Sequence, residues 1–403
     1  MLTRTAHPAA QSSRERITLL DVMRGFALLG IVVTNAVHAM AMWTIPDRTP
    51  TGGIGHTLDR LAEATVEALF AGRFYLLFAL LFGYSFTLQI AAAERAHVSA
   101  NARLLRRCAA LLFIGVLDVL LLWVGDVLAL YALACLVLIA LRGVRPWFAA
   151  TLGAALYIGW SCWGLFPVGT GPLPMLSRVI EQPGIHDGYS GGFMDTFTTQ
   201  VSLAPGFFLL VLFTHGVPSL GMFLIGMAAG KRRILTDAAT LARWTRRALW
   251  AGLVLGLPVS ASTFADAIGW WQAPDYWAWI QDLTNPIATG AYIAALVHIT
   301  RFPAGRRVSE WLAGAGRIAA TNYITQSLVL TVLYTGYGFA LADEMPIRWV
   351  VVLALCTFAG QLLASRWWLN RHPYGPVEWV LRLATYRTVP PWRSSGSELV
   401  SRA

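Results

Sequence analysis

Ten stretches of mostly apolar residues recur along this chain, at about 19–42, 70–93, 105–124, 126–143, 146–166, 203–229, 244–266, 278–300, 318–340 and 347–369. A helix needs about 20 such residues to cross the hydrocarbon of a bilayer. Inside that layer every backbone N–H and C=O must be satisfied within the crossing structure. The pattern therefore predicts an all-α fold, a polytopic integral membrane bundle of about ten transmembrane helices with no soluble domain. Composition agrees. The chain is 56% hydrophobic and only 13% charged, where soluble domains carry about 25% charged residues.

The 31 Lys+Arg outnumber the 21 Asp+Glu, an excess that in a soluble protein would raise nucleic acid as a partner. Their placement gives another reason for it. Cations favour cytoplasmic loops, and with the N-terminus inside, all but Arg48, Arg60, Arg73, Arg178 and Arg348 fall on the cytoplasmic side. Both termini are thus expected inside, with a polar arm over 1–18, the bundle over 19–370 and a tail over 387–403. Membrane lipid is the expected partner, and nucleic acid is not. Cys108, Cys135, Cys162 and Cys356 lie far apart in apolar runs without C-x-x-C spacing, so neither a disulfide framework nor a metal site is expected. No cleavable signal peptide is evident. The longest outer loop, 167–202, carries Glu181, Asp187 and Asp195 and reads equally as a binding segment or a solvated connector.

Polar residues inside the apolar runs are the informative ones, because a charge in hydrocarbon is costly and normally faces the bundle interior. Asp21 and Arg24 are spaced to pair on one helical face, either as an interfacial ion pair or as part of a pathway. Asn35 lies three turns further along the same face. Arg73 opens the second run, placed either to snorkel or to act. Asp118 and Asp126 are brought together by a very tight turn. Asp118 either stays neutral in its apolar surroundings or pairs with an arginine such as Arg73, and Asp126 doubles as a candidate N-cap. The ninth run opens on small residues and Arg317, followed by Asn322 and Gln326 at i, i+4, an entrance suited to an anion. Glu378 and Arg382 are spaced to pair with each other. Gly25 is expected to permit close helix approach, and the glycines around Gly221 and Gly226 to serve packing. No nucleophile elbow, zinc-protease signature or phosphate loop is present in the sequence.

Six segments taken together resemble the YeiB-like family, known as domain of unknown function 418 (DUF418). They are LDVMRGFALLGIVVTN (Leu20–Asn35), GRFYLLFALLFGYSF (Gly72–Phe86), LLLWVGDVLALYAL (Leu120–Leu133), SLGMFLIGMAAGK (Ser219–Lys231), GRIAATNYITQSL (Gly316–Leu328) and YGPVEWVLRLATY (Tyr374–Tyr386). The resemblance divides the bundle into an acyltransferase-like part over about 19–230 and a family part over about 231–386. It is similar at its LD-x-x-RG start (Asp21, Arg24, Gly25) to the transmembrane acyltransferases, among them lysosomal heparan-glucosaminide acetyltransferase and the acyltransferase-three proteins. Two departures stand out: Asn35 and Asp118 occupy places where relatives tend to carry histidine.

The resemblance implies a membrane-bound acyltransferase of the bacterial cytoplasmic membrane, moving an acyl group, acetyl in the first instance, from acyl-CoA to a small-molecule or glycan acceptor. On that reading Asp21, Arg24, Arg317, Asn322 and Gln326 hold the CoA, with Arg106 and Arg107 as further candidates. Asn35, Arg73, Asp118 and Asp126 carry the chemistry, and a hydrophilic passage joins the two groups. A transporter of an anionic or amphiphilic solute, or a non-catalytic membrane partner protein, are the alternatives. The lack of a visible inverted repeat favours the enzyme.

Overall fold

The computed structural model describes residues 8–43, 53–162, 184–235, 237–341 and 345–393. Arg48, Arg178, Glu181 and Arg402 lie outside the described residues. Within them the chain is all helix and turn, with no strand. Among the described residues, each of the ten apolar runs contains a helix. These are α1 (Pro8–Trp43), α3 (Phe74–Arg95), α4 (Ala100–Leu121), α5 (Leu128–Ala140), α6 (Pro146–Ser161), the pair α8 (Phe193–Val211) and α9 (Val217–Lys231), the pair α10 (Ala238–Ala251) and α11 (Leu257–Ala267), α12 (Trp277–Ile299), α14 (Ala319–Tyr334) and α15 (Ile347–Leu369). Among the described residues, four more helices fall outside those runs: α2 (Gly53–Leu69), α7 (Ile185–Ser190), α13 (Pro303–Arg317) and α16 (Pro376–Tyr386).

Among the described residues, five helical segments are long and apolar enough to cross a membrane: Thr18–Met40, Gly53–Arg95, Phe193–Lys231, Ala238–Ala267 and Ile347–Leu369. The expected count of ten is not met by length alone. The 13 residues of α5 reach only about 20 Å at 1.5 Å per residue, short of the ~30 Å hydrocarbon core. That helix is largely buried in the bundle instead.

Two long helices are interrupted in the same way. Leu212–Gly216 and Gly252–Gly256 are π-turns, and each precedes a proline in the first turn of the next helix, Pro218 and Pro258. Proline has no N–H to donate and its ring crowds the carbonyl four residues back; a widened turn absorbs both.

Glycines set the tightest contacts. A Cβ at Gly25 would overlap the Leu312 carbonyl, and one at Gly316 would overlap the Asp21 carbonyl, so α1 and α13 touch backbone to backbone. Gly83 and Gly226 do the same for α3 and α9, against Phe223 and Leu80, while Gly221 meets Gly153 on α6. The expected packing use of Gly25, Gly221 and Gly226 is what the structure has. The α1–α13 contact also binds the part before residue 231 to the part after it.

Candidate functional site

Cations from several helices are gathered at one end of the bundle. Arg24 on α1 places Nη1 2.7 Å from Asp21 Oδ1, and its Nη2 donates to Ser85 Oγ on α3 at 2.6 Å. Arg107 from α4, Arg317 from the end of α13 and Arg382 from α16 join this pair around a cavity of about 300 Å³, also lined by Asp21, Ser85, Gln89 and Glu378. A wider vestibule of about 1010 Å³ adjoins it, sharing Arg24, Ser85, Gln89 and Arg382 and adding Arg95, Arg142, Lys231 and Arg233. The two spaces hold eight cations against the carboxylates of Asp21, Glu94 and Glu378. Every one of those cations belongs to the set that the sidedness of the sequence assigns to the cytoplasm.

Part of this charge is already used. Lys231 Nζ donates to the carbonyls of Arg142 and Val144, both at 2.6 Å, closing the loop after α5. Arg317 Nη2 reaches the Pro373 carbonyl at 3.4 Å, and the Arg382 guanidinium lies 4.2 Å from the centre of the Tyr374 ring. Arg107 differs. Its Nε is buried with no hydrogen-bond partner among the described residues, and the side chain lines the cavity. A buried donor left open costs about 1–3 kcal/mol unless something fills it.

The Glu378–Arg382 pair expected from spacing is replaced by a different arrangement. Glu378 Oε1 accepts the N–H groups of Ala320 at 2.7 Å and Thr321 at 3.2 Å, capping the first turn of α14. Burial of this carboxyl pushes its pKa above the ordinary glutamate value, with the Thr321 hydrogen bonds pulling the other way. Arg382 turns to the Tyr374 and Tyr386 rings.

Asn322 and Gln326 line neither basic space. They belong to a buried polar seam between α14 and α15. Asn322 Nδ2 donates to Ser365 Oγ and to the Ala315 carbonyl, both at 3.0 Å. Gln361 Nε2 donates to the Asn322 carbonyl at 2.8 Å, and Gln326 Nε2 donates to Gln361 Oε1 at 2.8 Å. The i, i+4 spacing correctly puts the two residues on one face; that face packs against α15.

A second polar group lies deeper. Asp118 and Asp126 are 2% and 0% exposed, and their carboxyls face each other within hydrogen-bonding reach. Ser327 Oγ donates to Asp118 Oδ2 at 3.1 Å. Asp126 Oδ2 accepts the Ala129 N–H at 3.0 Å from one residue before the N-cap position, which Val127 occupies. The Tyr323 hydroxyl accepts the Val127 N–H at 3.2 Å and is hydrogen-bonded to Asp126. Neither Asp118 Oδ1 nor Asp126 Oδ1 has a partner beyond the facing carboxyl among the described residues. Tyr323 and Ser327 are additions to the site residues expected from the sequence; their i, i+4 spacing on α14 is the signal that could have found them.

Arg73 is not the partner of Asp118. It is 2% exposed and donates to Ser260 Oγ at 2.8 Å, Tyr292 OH at 3.1 Å and Asn285 Oδ1 at 3.3 Å, all from α11 and α12. Gly72, at φ +73°, brings the chain so close that a Cβ there would strike Asn285. Asn35 is half-buried, and the residues between it and Arg24 on the same face, Leu28 and Ile31, are packed in the core at 0% and 5% exposure. The hydrophilic stripe expected along α1 is thus broken by apolar packing. Among the described residues no three or more His, Cys, Asp or Glu side chains are grouped to hold a metal.

Residues 229–388 match the family model described as protein of unknown function (DUF418). The likeness to relatives runs almost end to end. The chain is 28% identical to the uncharacterized protein YxaH of Bacillus subtilis (strain 168), covering 94% of this chain and 96% of YxaH. It is 25% identical to the uncharacterized protein YeiB of Escherichia coli (strain K12), covering 94% and 98%. The DUF418 match thus covers the C-terminal part of the chain, and the likeness to YxaH and YeiB extends over nearly all of it. A protein in the amylase 3′ region of Bacillus acidopullulyticus is 27% identical over 92% of this chain and 94% of its own. The DUF418 match supplies Lys231, Arg233, Arg317, Glu378 and Arg382 to the basic end of the bundle, and Arg24, Arg95, Arg107 and Arg142 precede it. The basic cavities are therefore built jointly by the DUF418 segment and the helices before it.

Proposed function

We propose that this protein is a membrane-bound acyltransferase that takes an acyl group from cytoplasmic acyl-CoA and passes it to an acceptor at or beyond the membrane. The observation that carries this reading is the gathering of eight cations around one pair of cavities, with a buried Arg107 Nε left open. Coenzyme A presents several phosphates, and arginine meets phosphate with paired, charge-assisted hydrogen bonds. Arg24, Arg107, Arg317 and Arg382 are the residues we assign to that task. The same reading puts both termini in the cytoplasm and the helical bundle in the bacterial inner membrane.

The carboxyl pair Asp118 and Asp126 takes the chemical step. Asp118 lies seven residues beyond Leu111 of the cavity wall on the same helix, about 10 Å deeper. Such a separation suits a donor whose phosphates and reacting carbonyl are joined by a long arm. The acceptor's hydroxyl or amine attacks the thioester carbonyl and its proton passes to the pair. The C–S bond breaks, and the CoA thiolate leaves as the thiol by taking that proton from the pair, which returns to its starting state. Positioned carboxylates of this kind contribute about 10²–10⁴-fold.

The test is turnover of radiolabelled acetyl-CoA by the purified protein in lipid nanodiscs, with a membrane extract supplying the acceptor. CoA release with label appearing in a product supports the enzyme. No release and no acyl-CoA binding, with uptake of an anionic solute by proteoliposomes, assigns the basic cavity to transport instead.

A further inference from the structure

A third cavity, about 400 Å³, adjoins the two basic ones and differs from them in chemistry. Apart from Arg232 at its rim its wall carries no charged side chain; Ala150, Met222, Ile225, Trp244, Ala248 and Gly290 are typical of it. Its volume falls in the ~300–1,000 Å³ range of small-molecule sites. One layer of side chains divides it from the basic spaces: Leu81 lines both this cavity and the inner one, and Tyr84 lines both this cavity and the vestibule. The rims also adjoin, since Arg232 belongs to the apolar cavity and its neighbours Lys231 and Arg233 to the vestibule.

We propose that this cavity receives the hydrocarbon chain of the acyl donor, so that the thioester carries a chain longer than acetyl. The inference rests on the acyltransferase reading. An occupant with a polyanionic head and an apolar tail matches eight cations beside an apolar chamber. A free membrane lipid would need only the Arg232 rim.

The test compares CoA, acetyl-CoA and octanoyl-CoA for binding to the purified full-length protein in nanodiscs. Octanoyl-CoA is expected to bind about tenfold or more tightly than acetyl-CoA, the gain of about two well-buried methylenes. Gly290 has room for a side chain, with Ala248 and Trp244 each 4.0 Å from where its Cβ would lie, so Gly290→Leu fills the chamber without striking backbone. In that variant, and in Ala150→Leu elsewhere on the wall, the octanoyl advantage should vanish while acetyl-CoA binding persists; persistence also shows that the variant folds. Equal affinity for the two thioesters in the wild type overturns the proposal and leaves the acyltransferase reading standing. So does an octanoyl advantage that survives in both filled variants, or one that lysophosphatidylglycerol abolishes without displacing acetyl-CoA. If no CoA compound binds the wild type, the reading itself fails and this inference fails with it.

Discussion

Glu378 and Thr321 cap each other's helices. Glu378 Oε2 accepts the Thr321 hydroxyl at 2.6 Å, and Thr321 Oγ1 in turn accepts the Val377 N–H at 3.1 Å, fastening the start of α16 to the start of α14 beside the basic cavity. Glu378→Ala leaves the Ala320 and Thr321 N–H groups without their acceptor and is expected to cost about 1–3 kcal/mol, read as a lower midpoint in thermal unfolding. Unchanged stability would mean that the cap contributes nothing.

The same carboxyl gives a pH dependence. Its folded-state pKa is raised by burial, so the folded state holds the proton more tightly than the unfolded chain. Its contribution to stability is greatest below the unfolded pKa of about 4.3 and declines as pH rises from there through the folded value. Glu378→Gln should remove that decline, so the stability curves of variant and wild type diverge on the alkaline side of the ordinary glutamate range. Parallel curves would contradict the assignment.

Gly316 and Gly314 lie on one helix and should respond oppositely to alanine. A Cβ at Gly316 overlaps the Asp21 carbonyl, whereas one at Gly314 meets only Leu369 Cδ1 at 4.0 Å. Gly316→Ala is expected to lower stability by about 1–3 kcal/mol through overpacking against backbone and to displace the Asp21–Arg24 pair. Gly314→Ala should be neutral or slightly stabilising, as alanine favours helix. Thermal unfolding of the two variants side by side checks this.

Arg73 ties α3 to α11 and α12 through three neutral partners. Arg73→Met should lower stability by about 2 kcal/mol or more, because bonds to a charged group are each worth about 1.5–3 kcal/mol, and should leave CoA affinity unchanged in the protein that folds. A selective loss of turnover with intact stability would return Arg73 to the chemistry.

Asp118→Asn keeps the size of the side chain and one hydrogen-bond donor toward Asp126. It is expected to reduce acyl transfer by about 10²-fold or more and to spare acyl-CoA binding. Ser327→Ala, which removes the hydroxyl on Asp118 Oδ2, should weaken transfer less. Undiminished transfer in Asp118→Asn removes the pair from the mechanism.

Helix positions are legible in the sequence because apolar runs of membrane length admit little else. Helices α2 and α13 are not, since their faces mix charge with apolar residues: His56, Asp59, Arg60 and Glu63 stud the first, and Arg306, Arg307 and Glu310 the second. The gathering of Arg24 and Arg317 follows from polarity at like depth. The partners of Arg73 do not, because Asn285 and Tyr292 are 212 and 219 residues away. Asn322 and Gln326 show the limit of periodicity. Spacing groups side chains on a face, but the neighbouring helix decides whether that face is a cavity wall or an interhelical seam. Asp118 and Asp126 are legible as a pair because the tight turn brings them together locally, while Ser327 reaches them from a distant helix.

Whether the converged cations hold a phosphate-bearing donor is tested most directly by titrating CoA into the purified protein in nanodiscs at low and high salt. The expected result is saturable binding that weakens with salt and falls about tenfold, roughly 1.4 kcal/mol, in Arg382→Gln and in Arg317→Gln. Absence of binding at low salt, or binding indifferent to both salt and these substitutions, would contradict it.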